Sequence, residues 1–117
     1  MTHGTQLAKT DFTVDLDGEG ASANVVSRSV AKDRSHQVFY SNVRGNAPCS
    51  GHTECDAIIM DDATVSAIPQ IEANCVDAAL IHEAAIGKIA GEQILKLMTL
   101  GLDEKEAEEQ IVSGFLK

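Results

Sequence analysis

The sequence DFTVDLD, residues 11–17, alternates strictly between polar and apolar side chains. In an extended chain, its three apolar residues would lie on one face and its acidic and hydroxyl residues on the other. Residues 18–20, Gly-Glu-Gly, then interrupt the pattern, and residues 21–25, ASANV, resume a period of two. This stretch therefore predicts two half-buried strands joined by a tight turn.

Short strand-like runs continue through the first two-thirds of the chain. They are separated by turn residues such as Gly45-Asn46 and Asp61-Asp62 and by the region of Pro69. The runs are His36–Val43, Cys55–Met60, Thr64–Ile68 and Asp77–His82. Many short strands at this spacing are typical of a sandwich, a barrel or a solenoid, and periodicity alone does not choose among them.

After Ile86 the alternation stops and apolar residues recur at helical spacing. They fall in two segments, first at Ile94, Leu97 and Met98 and then at Ala107, Ile111 and Phe115. Gly101 suits the left-handed position just past a helix end, and Asp103 with Glu106 resembles a capping box. The sequence thus predicts a hairpin of two helices at the C-terminal end.

Composition limits the classes of function. A chain of 117 residues with 44% hydrophobic residues suits a single folded domain, and the aromatic content of 3% implies a core of aliphatic side chains. The net charge of −9 disfavours binding to a phosphate backbone, so we expect no nucleic-acid partner. No apolar run reaches the roughly 20 residues of a membrane span, and the N-terminal residues do not resemble a secretory signal. We expect a cytoplasmic protein.

The residues best suited to chemistry are concentrated between Cys49 and Glu83. This segment contains all three cysteines and two of the four histidines. An odd number of cysteines favours free thiols in a reducing compartment. Thiols, imidazoles and carboxylates are ligands for iron and zinc, although no spacing among them forms a self-sufficient metal motif.

Several motifs, in order, resemble the C-terminal part of the SufB/SufD family of iron–sulfur cluster assembly scaffolds, from about Arg28 to the last residue. The motifs are Arg44-Gly45-Asn46-Ala47, Cys55-Asp56-Ala57-Ile58-Ile59, Ile68-Pro69-Gln70-Ile71-Glu72, His82-Glu83-Ala84, Gly87-Lys88-Ile89, Glu92-Gln93-Ile94 and Ile111-Val112-Ser113-Gly114-Phe115. The pattern is closer to SufB than to SufD.

This resemblance implies a mainly β fold with C-terminal α structure: a right-handed parallel β-helix fragment over residues 1–86 and a helical region over residues 87–117, within one structural unit. It further implies a non-enzymatic scaffold that works with a SufB/SufD-type partner subunit, a SufC-type ATP-binding-cassette ATPase and a sulfur carrier protein. The ATPase would dock on the C-terminal helices, for which the candidate residues are Ile94, Met98, Ile111 and Phe115.

Full members of the family carry a long N-terminal portion with more β-helix turns than this chain contains. The chain therefore corresponds to the C-terminal part of such a protein or to a shortened relative. A solenoid opened at its N-terminal end exposes unpaired strand edges, so we expect self-association through that end.

By resemblance, Cys55, His82 and Glu83 are the candidate ligands of a cluster or, for Cys55, the acceptor of sulfur. A thiolate is both a soft iron ligand and a nucleophile toward sulfane sulfur. Neighbouring residues on a strand point to opposite faces, so His82 and Glu83 share a site only if the chain bends there. We expect a transient iron–sulfur cluster shared at a subunit interface, because one chain supplies too few ligands; the isolated fragment could bind none.

Three other interpretations remain. Cys49, His52 and Cys55 could bind zinc, although they supply one ligand cluster where a structural site usually needs two. Cys55 and His82 could pair as nucleophile and base of a thiol enzyme, but no oxyanion loop accompanies them. The chain could also be a purely structural interaction module of the assembly complex, without metal or sulfur chemistry of its own.

Overall fold

A computed structural model describes residues 1–117 as six strands followed by two helices. The strands are β1 (Leu7–Leu16), β2 (Ala21–Ala31), β3 (His36–Gly45), β4 (Cys49–Ile59), β5 (Thr64–Ala73) and β6 (Ala78–Lys88), and the helices are α1 (Gly91–Thr99) and α2 (Glu104–Leu116). Both strands predicted from residues 11–25 are present, and both helices follow them.

The six strands form two parallel three-stranded sheets, with the orders β1-β3-β5 and β2-β4-β6. Each strand therefore pairs with the strand two positions away in the chain: His36 of β3 is in register with Leu7 of β1 on one side and with Thr64 of β5 on the other. Successive strands alternate between the sheets, so the chain winds as a coil with two strands per turn. This arrangement confirms the β-helix-like solenoid with C-terminal helices; its right-handedness stays a prediction.

One corner of the coil is stabilised by hydrogen bonds from turn to turn. Asp33 and Asp61 adopt left-handed backbone conformations, with φ of 60° and 57°, which aspartate tolerates better than most residues. Their carboxylates accept backbone N–H bonds from the preceding turn: Asp33 from Gly4 at 2.8 Å and Asp61 from Asp33 at 3.2 Å. The acidic side chains at this corner are thus structural.

The core lies between the two sheets, because the inward side chains of every strand meet there. Its buried centre is formed by Leu16, Val43 and Cys49. Gly51 is required at this level, since a Cβ there would lie 3.0 Å from Leu80 Cδ2 and 3.2 Å from Leu16 Cδ1. The narrow aliphatic interior agrees with the low aromatic content.

Every strand extends beyond its predicted run, and β2 continues to Ala31. β4 begins at Cys49 rather than Cys55, and β6 continues to Lys88 rather than ending at His82. Pro69 lies inside β5 and does not end it. A proline is tolerated because β5 is an edge strand, with one side free of ladder hydrogen bonds.

The helix ends follow the predicted signals. Gly101 has a φ of 100° just after α1, and the carboxylate of Asp103 accepts the Glu106 backbone N–H at 2.8 Å at the start of α2. α2 contacts β2, and Arg28 Nη1 donates to the Lys117 carbonyl oxygen at 2.9 Å. Neither helix is long and apolar enough to span a membrane.

Candidate functional site

Cys55 and His82 lie on the inner face of the second sheet. Inward positions on β4 are occupied by Cys49, Gly51, Thr53 and Cys55, which are all buried, while the residues between them are partly or fully exposed. His82 is paired in register with Thr53, and Cys55 with Ala84. The strand alternation therefore places the Cys55 thiol and the His82 imidazole on the same side of the sheet, one strand apart.

Both side chains line one narrow internal cavity. Its walls come from three turns of the coil and include Phe12, Ser27, Phe39, Ser41, Thr53, Glu54, Cys55, Ala67 and His82. The free space of about 10 Å³ holds at most one water molecule. A cluster therefore cannot occupy this cavity unless the adjacent strand edge opens or a partner surface completes it.

The His82 ring is held through one nitrogen. Nδ1 lies 2.7 Å from Thr53 Oγ1, and Thr53 is only 5% exposed. The other nitrogen, Nε2, is buried and has no hydrogen-bond partner. Among the few buried polar atoms without a partner, it is the one whose side chain lines the cavity. A free imidazole nitrogen beside a thiol is a suitable pair of donors for iron.

Cys55 is buried, with 5% of its surface exposed. Burial, together with the negative charge of Asp56, raises the pKa of its thiol above the ordinary value. The resting side chain is therefore the neutral thiol at neutral pH, which suits a protected ligand. A bound metal ion would displace the thiol proton, because the thiolate is the ligand form.

Glu83 lies on the opposite, outer face of β6. Its carboxylate Oε2 is 3.2 Å from Nε2 of His52, whose Nδ1 is 2.9 Å from Asn24 Oδ1. β6 is a continuous strand through this region, without the bend that a shared site would need. The structure thus brings Cys55 and His82 together and places Glu83 with His52, a partner that the sequence did not indicate.

The other cysteines are apart from this pair. Cys49 belongs to the aliphatic core and Cys75 is half-buried between β5 and β6. His52 points outward from a strand on which Cys49 and Cys55 point inward, so these three residues do not converge. No three Cys, His, Asp or Glu side chains are grouped closely enough to hold a metal ion. One chain therefore supplies at most two ligands to a metal site.

The site adjoins a free edge of the solenoid. β6 pairs only with β4 and β5 only with β3, so both present an unpaired side at the C-terminal end of the coil. Large apolar side chains are exposed at this end, namely Ile68, Ile71, Val76, Ile81 and Ile86. Unpaired edges accompanied by exposed apolar side chains are typical of surfaces that a partner covers.

The four predicted docking residues are not equivalent. Met98 is 42% exposed, whereas Ile94, Ile111 and Phe115 are half-buried and partly turned toward the body of the protein. Leu95 and Leu100, with exposures of 63% and 74%, were not among the predicted docking residues. Helical spacing identified the apolar residues, but it did not show which of them the solenoid covers.

Comparison with known proteins gives consistent matches. Residues 1–115 match the profile of the family described as "SUF system FeS cluster assembly, SufBD core domain". An "Iron-sulfur cluster assembly SufBD family protein" of Methanothermobacter thermautotrophicus is 42% identical over 105 residues, covering 88% of this chain and 26% of that protein.

Two further relatives carry the same family description. One from Methanocaldococcus jannaschii is 40% identical over 111 residues, covering 94% of this chain and 35% of the relative. One from Staphylococcus saprophyticus is 36% identical over 100 residues, covering 82% of this chain and 22% of the relative. The chain thus spans about a quarter to a third of the length of these relatives.

Proposed function

The chain belongs to the SufBD family of the SUF iron–sulfur cluster assembly system, and we propose that it is a non-enzymatic scaffold segment whose Cys55 and His82 form half of a cluster-assembly site. The observation that carries this proposal is the shared cavity, which is lined by a buried thiol and by an imidazole with an unpartnered nitrogen. The cluster is the cargo that the site releases, not a resident cofactor.

The second half of the site would come from a related subunit docked at the C-terminal end of the coil. Two donors leave at least two positions of an iron ion open, since iron in such clusters takes four ligands including sulfide. His82 lies on the free edge strand β6, so a SufB/SufD-type subunit paired there would bring its own ligands close to the cavity. Self-association of this chain through its open N-terminal end stays a prediction.

Sulfur delivery would require access to the Cys55 thiol. The role of Cys55 as the acceptor of sulfur from a carrier protein also stays a prediction. A thiol that is 5% exposed is closed to another protein, so β6 would have to move before a persulfide could reach it.

The test is anaerobic reconstitution, with ferrous iron and sulfide, of the 117-residue chain together with a SufB/SufD-type partner subunit. We expect sulfur-to-iron charge-transfer absorbance that is lost in Cys55→Ser and retained in Cys75→Ser, a matched control at a half-buried thiol outside the cavity. If wild type and Cys55→Ser give equal absorbance, the assignment of Cys55 is wrong.

A second candidate function is that of an interaction module that captures a SufC-type ABC ATPase without metal chemistry. It is supported by the exposed apolar side chains of Leu95, Met98 and Leu100 at α1, a helix with no buried residue. An apolar helix face of this kind suits insertion into a groove of a folded partner.

This docking proposal is tested by pull-down of the ATPase. Leu95→Glu and Met98→Glu should abolish capture without unfolding the chain, because both residues are exposed. Lys105→Glu, which also adds negative charge but lies on α2, serves as the control. Capture that survives both α1 substitutions would place the docking surface elsewhere, with the half-buried Ile111 and Phe115 as the next residues to test.

A further inference from the structure

We infer that Thr53 is a positioning residue that orients His82 so that its Nε2 faces the cavity as a ligand; this inference rests on the proposed function. Thr53 and His82 are register partners on β4 and β6, and their inward side chains meet at 2.7 Å between Oγ1 and Nδ1. The threonine is 5% exposed, and no other side-chain hydrogen bond holds the His82 ring.

The position of the proton in this contact determines whether His82 Nε2 can bind a metal ion. A hydroxyl has one hydrogen to donate, and a neutral imidazole has one N–H and one bare nitrogen. The contact between Thr53 Oγ1 and His82 Nδ1 therefore has two forms: the hydroxyl donates to a bare Nδ1 while the ring proton sits on Nε2, or Nδ1–H donates to Oγ1 while Nε2 carries no proton. A metal ion at Nε2 requires the second form.

The same threonine can serve both states because a hydroxyl both donates and accepts. In the form that a metal ion at Nε2 would require, the hydroxyl accepts from Nδ1–H, Nε2 carries no proton and the ring is neutral. Histidines that ligate metals almost always donate their other ring N–H to a fixed acceptor, and losing that acceptor costs about 10–100-fold in metal affinity. Thr53 fills this role for His82.

Other buried polar groups in the interior lack this arrangement. Gln37 Nε2 donates both to Thr2 Oγ1 at 2.9 Å and to the Val30 carbonyl at 3.0 Å, and Thr2 in turn donates to Ser35 Oγ at 2.9 Å. Each of these side chains has a hydrogen-bond partner, and the network stabilises the corner near the N-terminal residues. The Thr53–His82 pair instead leaves one nitrogen free on the wall of the cavity that contains Cys55.

The inference is tested by titrating the chain anaerobically with Co²⁺, an optical probe for thiolate ligation. Thr53→Val keeps the β-branched shape and removes the hydroxyl, whereas Thr53→Ser keeps the hydroxyl. We expect a thiolate-to-cobalt band in the wild type, a loss of affinity of about tenfold or more in Thr53→Val, and recovery to within about threefold of wild type in Thr53→Ser.

Nitrogen-15 NMR of the His82 ring supplies a readout that loss of packing alone would not change. The Zn²⁺ form of the wild type should show the proton on Nδ1, and metal-free Thr53→Val should show a tautomer ratio different from that of the metal-free wild type. Wild-type affinity and a wild-type ring spectrum in Thr53→Val would overturn the role of Thr53 alone. Absence of the cobalt band from the wild type would overturn the proposed function together with it.

Discussion

The two faces of the second sheet each carry a histidine at nearly the same level, and the two histidines are bonded very differently. On the outer face, His52 uses both ring nitrogens, one toward Asn24 and one toward Glu83. On the inner face, His82 uses Nδ1 toward Thr53 and leaves Nε2 buried without a partner. The exposed histidine is saturated, and the enclosed one keeps a free donor position.

This difference supports the proposed site on the inner face. A buried nitrogen without a partner costs about 1–3 kcal/mol relative to a satisfied one, whereas an exposed nitrogen would find water. A fold that keeps such an atom beside a thiol of raised pKa maintains two groups that a metal ion would satisfy together. The outer pair, which is already complete, has no comparable requirement for a ligand.

The largest expected effect is on stability. It is tested by comparing a valine in the core with a valine on the outer face of the second sheet. Val43 is 4% exposed in the core and Val26 is 44% exposed on the outer face of β2. Val43→Ala should lower the free energy of unfolding by about 2–3 kcal/mol, from the loss of two carbons and the cavity they leave. Val26→Ala should change it by less than about 0.5 kcal/mol.

Urea denaturation followed by circular dichroism measures both variants. Equal effects at the two positions would mean that a partner already covers the outer face of β2 in solution, which would remove the basis for the contrast between the faces.

The second prediction concerns the ligand set and compares His82 with Glu83. In the Co²⁺ titration, His82→Asn should weaken binding at least about tenfold, equivalent to about 1.4 kcal/mol, because it removes one of two donors. Glu83→Gln should leave affinity within about twofold, since its side chain lies on the outer face with His52. A large effect of Glu83→Gln would show that β6 bends at the site when metal is bound.

The sequence predicted the parts of the fold in which the local pattern is strong. Residues 11–17 and 21–25 alternate cleanly, so β1 and the first half of β2 were found, and Gly101 and Asp103 marked the helix boundaries. The first half of β4 was missed because its inward residues Gly51 and Thr53 are not apolar, which hides the period of two. The second half of β6 was missed because residues 84–87, Ala-Ala-Ile-Gly, do not alternate in polarity.

The site was predictable only in part. Cys55 and His82 came from the resemblance to a family, and strand alternation correctly warned that His82 and Glu83 would face opposite ways. The partnership of Thr53 with His82 depends on a register of 29 residues between strands, which is a long-range property. His52 meets Glu83 at a separation of 31 residues, two beyond that register, so periodicity within one strand could not reveal the pair.

A third prediction concerns the reactivity of the inner thiol. Because burial and the charge of Asp56 raise the pKa of Cys55, its alkylation by iodoacetamide should be slow at pH 7 and should rise with a midpoint above the ordinary cysteine value of about 8.5. Asp56→Asn removes a neighbouring negative charge and should move the midpoint to lower pH. Peptide-resolved mass spectrometry measures each cysteine separately.

The same shift fixes the sign of a pH effect on folding. The folded state favours the protonated thiol. Below the pKa of Cys55 in the unfolded chain, this group therefore does not change the free energy of unfolding, and as pH rises above that value the free energy of unfolding falls. An Asp56→Asn variant with an unchanged alkylation midpoint would mean that burial alone sets the reactivity of Cys55.

The smallest expected effect tests the outer pair directly. The His52 and Glu83 side chains are 35% and 62% exposed, and they form an ion pair only when His52 is protonated. Exposed pairs of this kind contribute about 0.2–1 kcal/mol, so a double-mutant cycle with His52→Gln and Glu83→Gln should give a coupling energy below about 0.5 kcal/mol that falls further in 1 M NaCl. A coupling energy well above 1 kcal/mol that persists in 1 M NaCl would show that His52 is also held rigidly in a specific site. The contrast between the hydrogen-bonded histidine of the outer face and the partly unbonded histidine of the inner face would then no longer mark the inner face as the functional one.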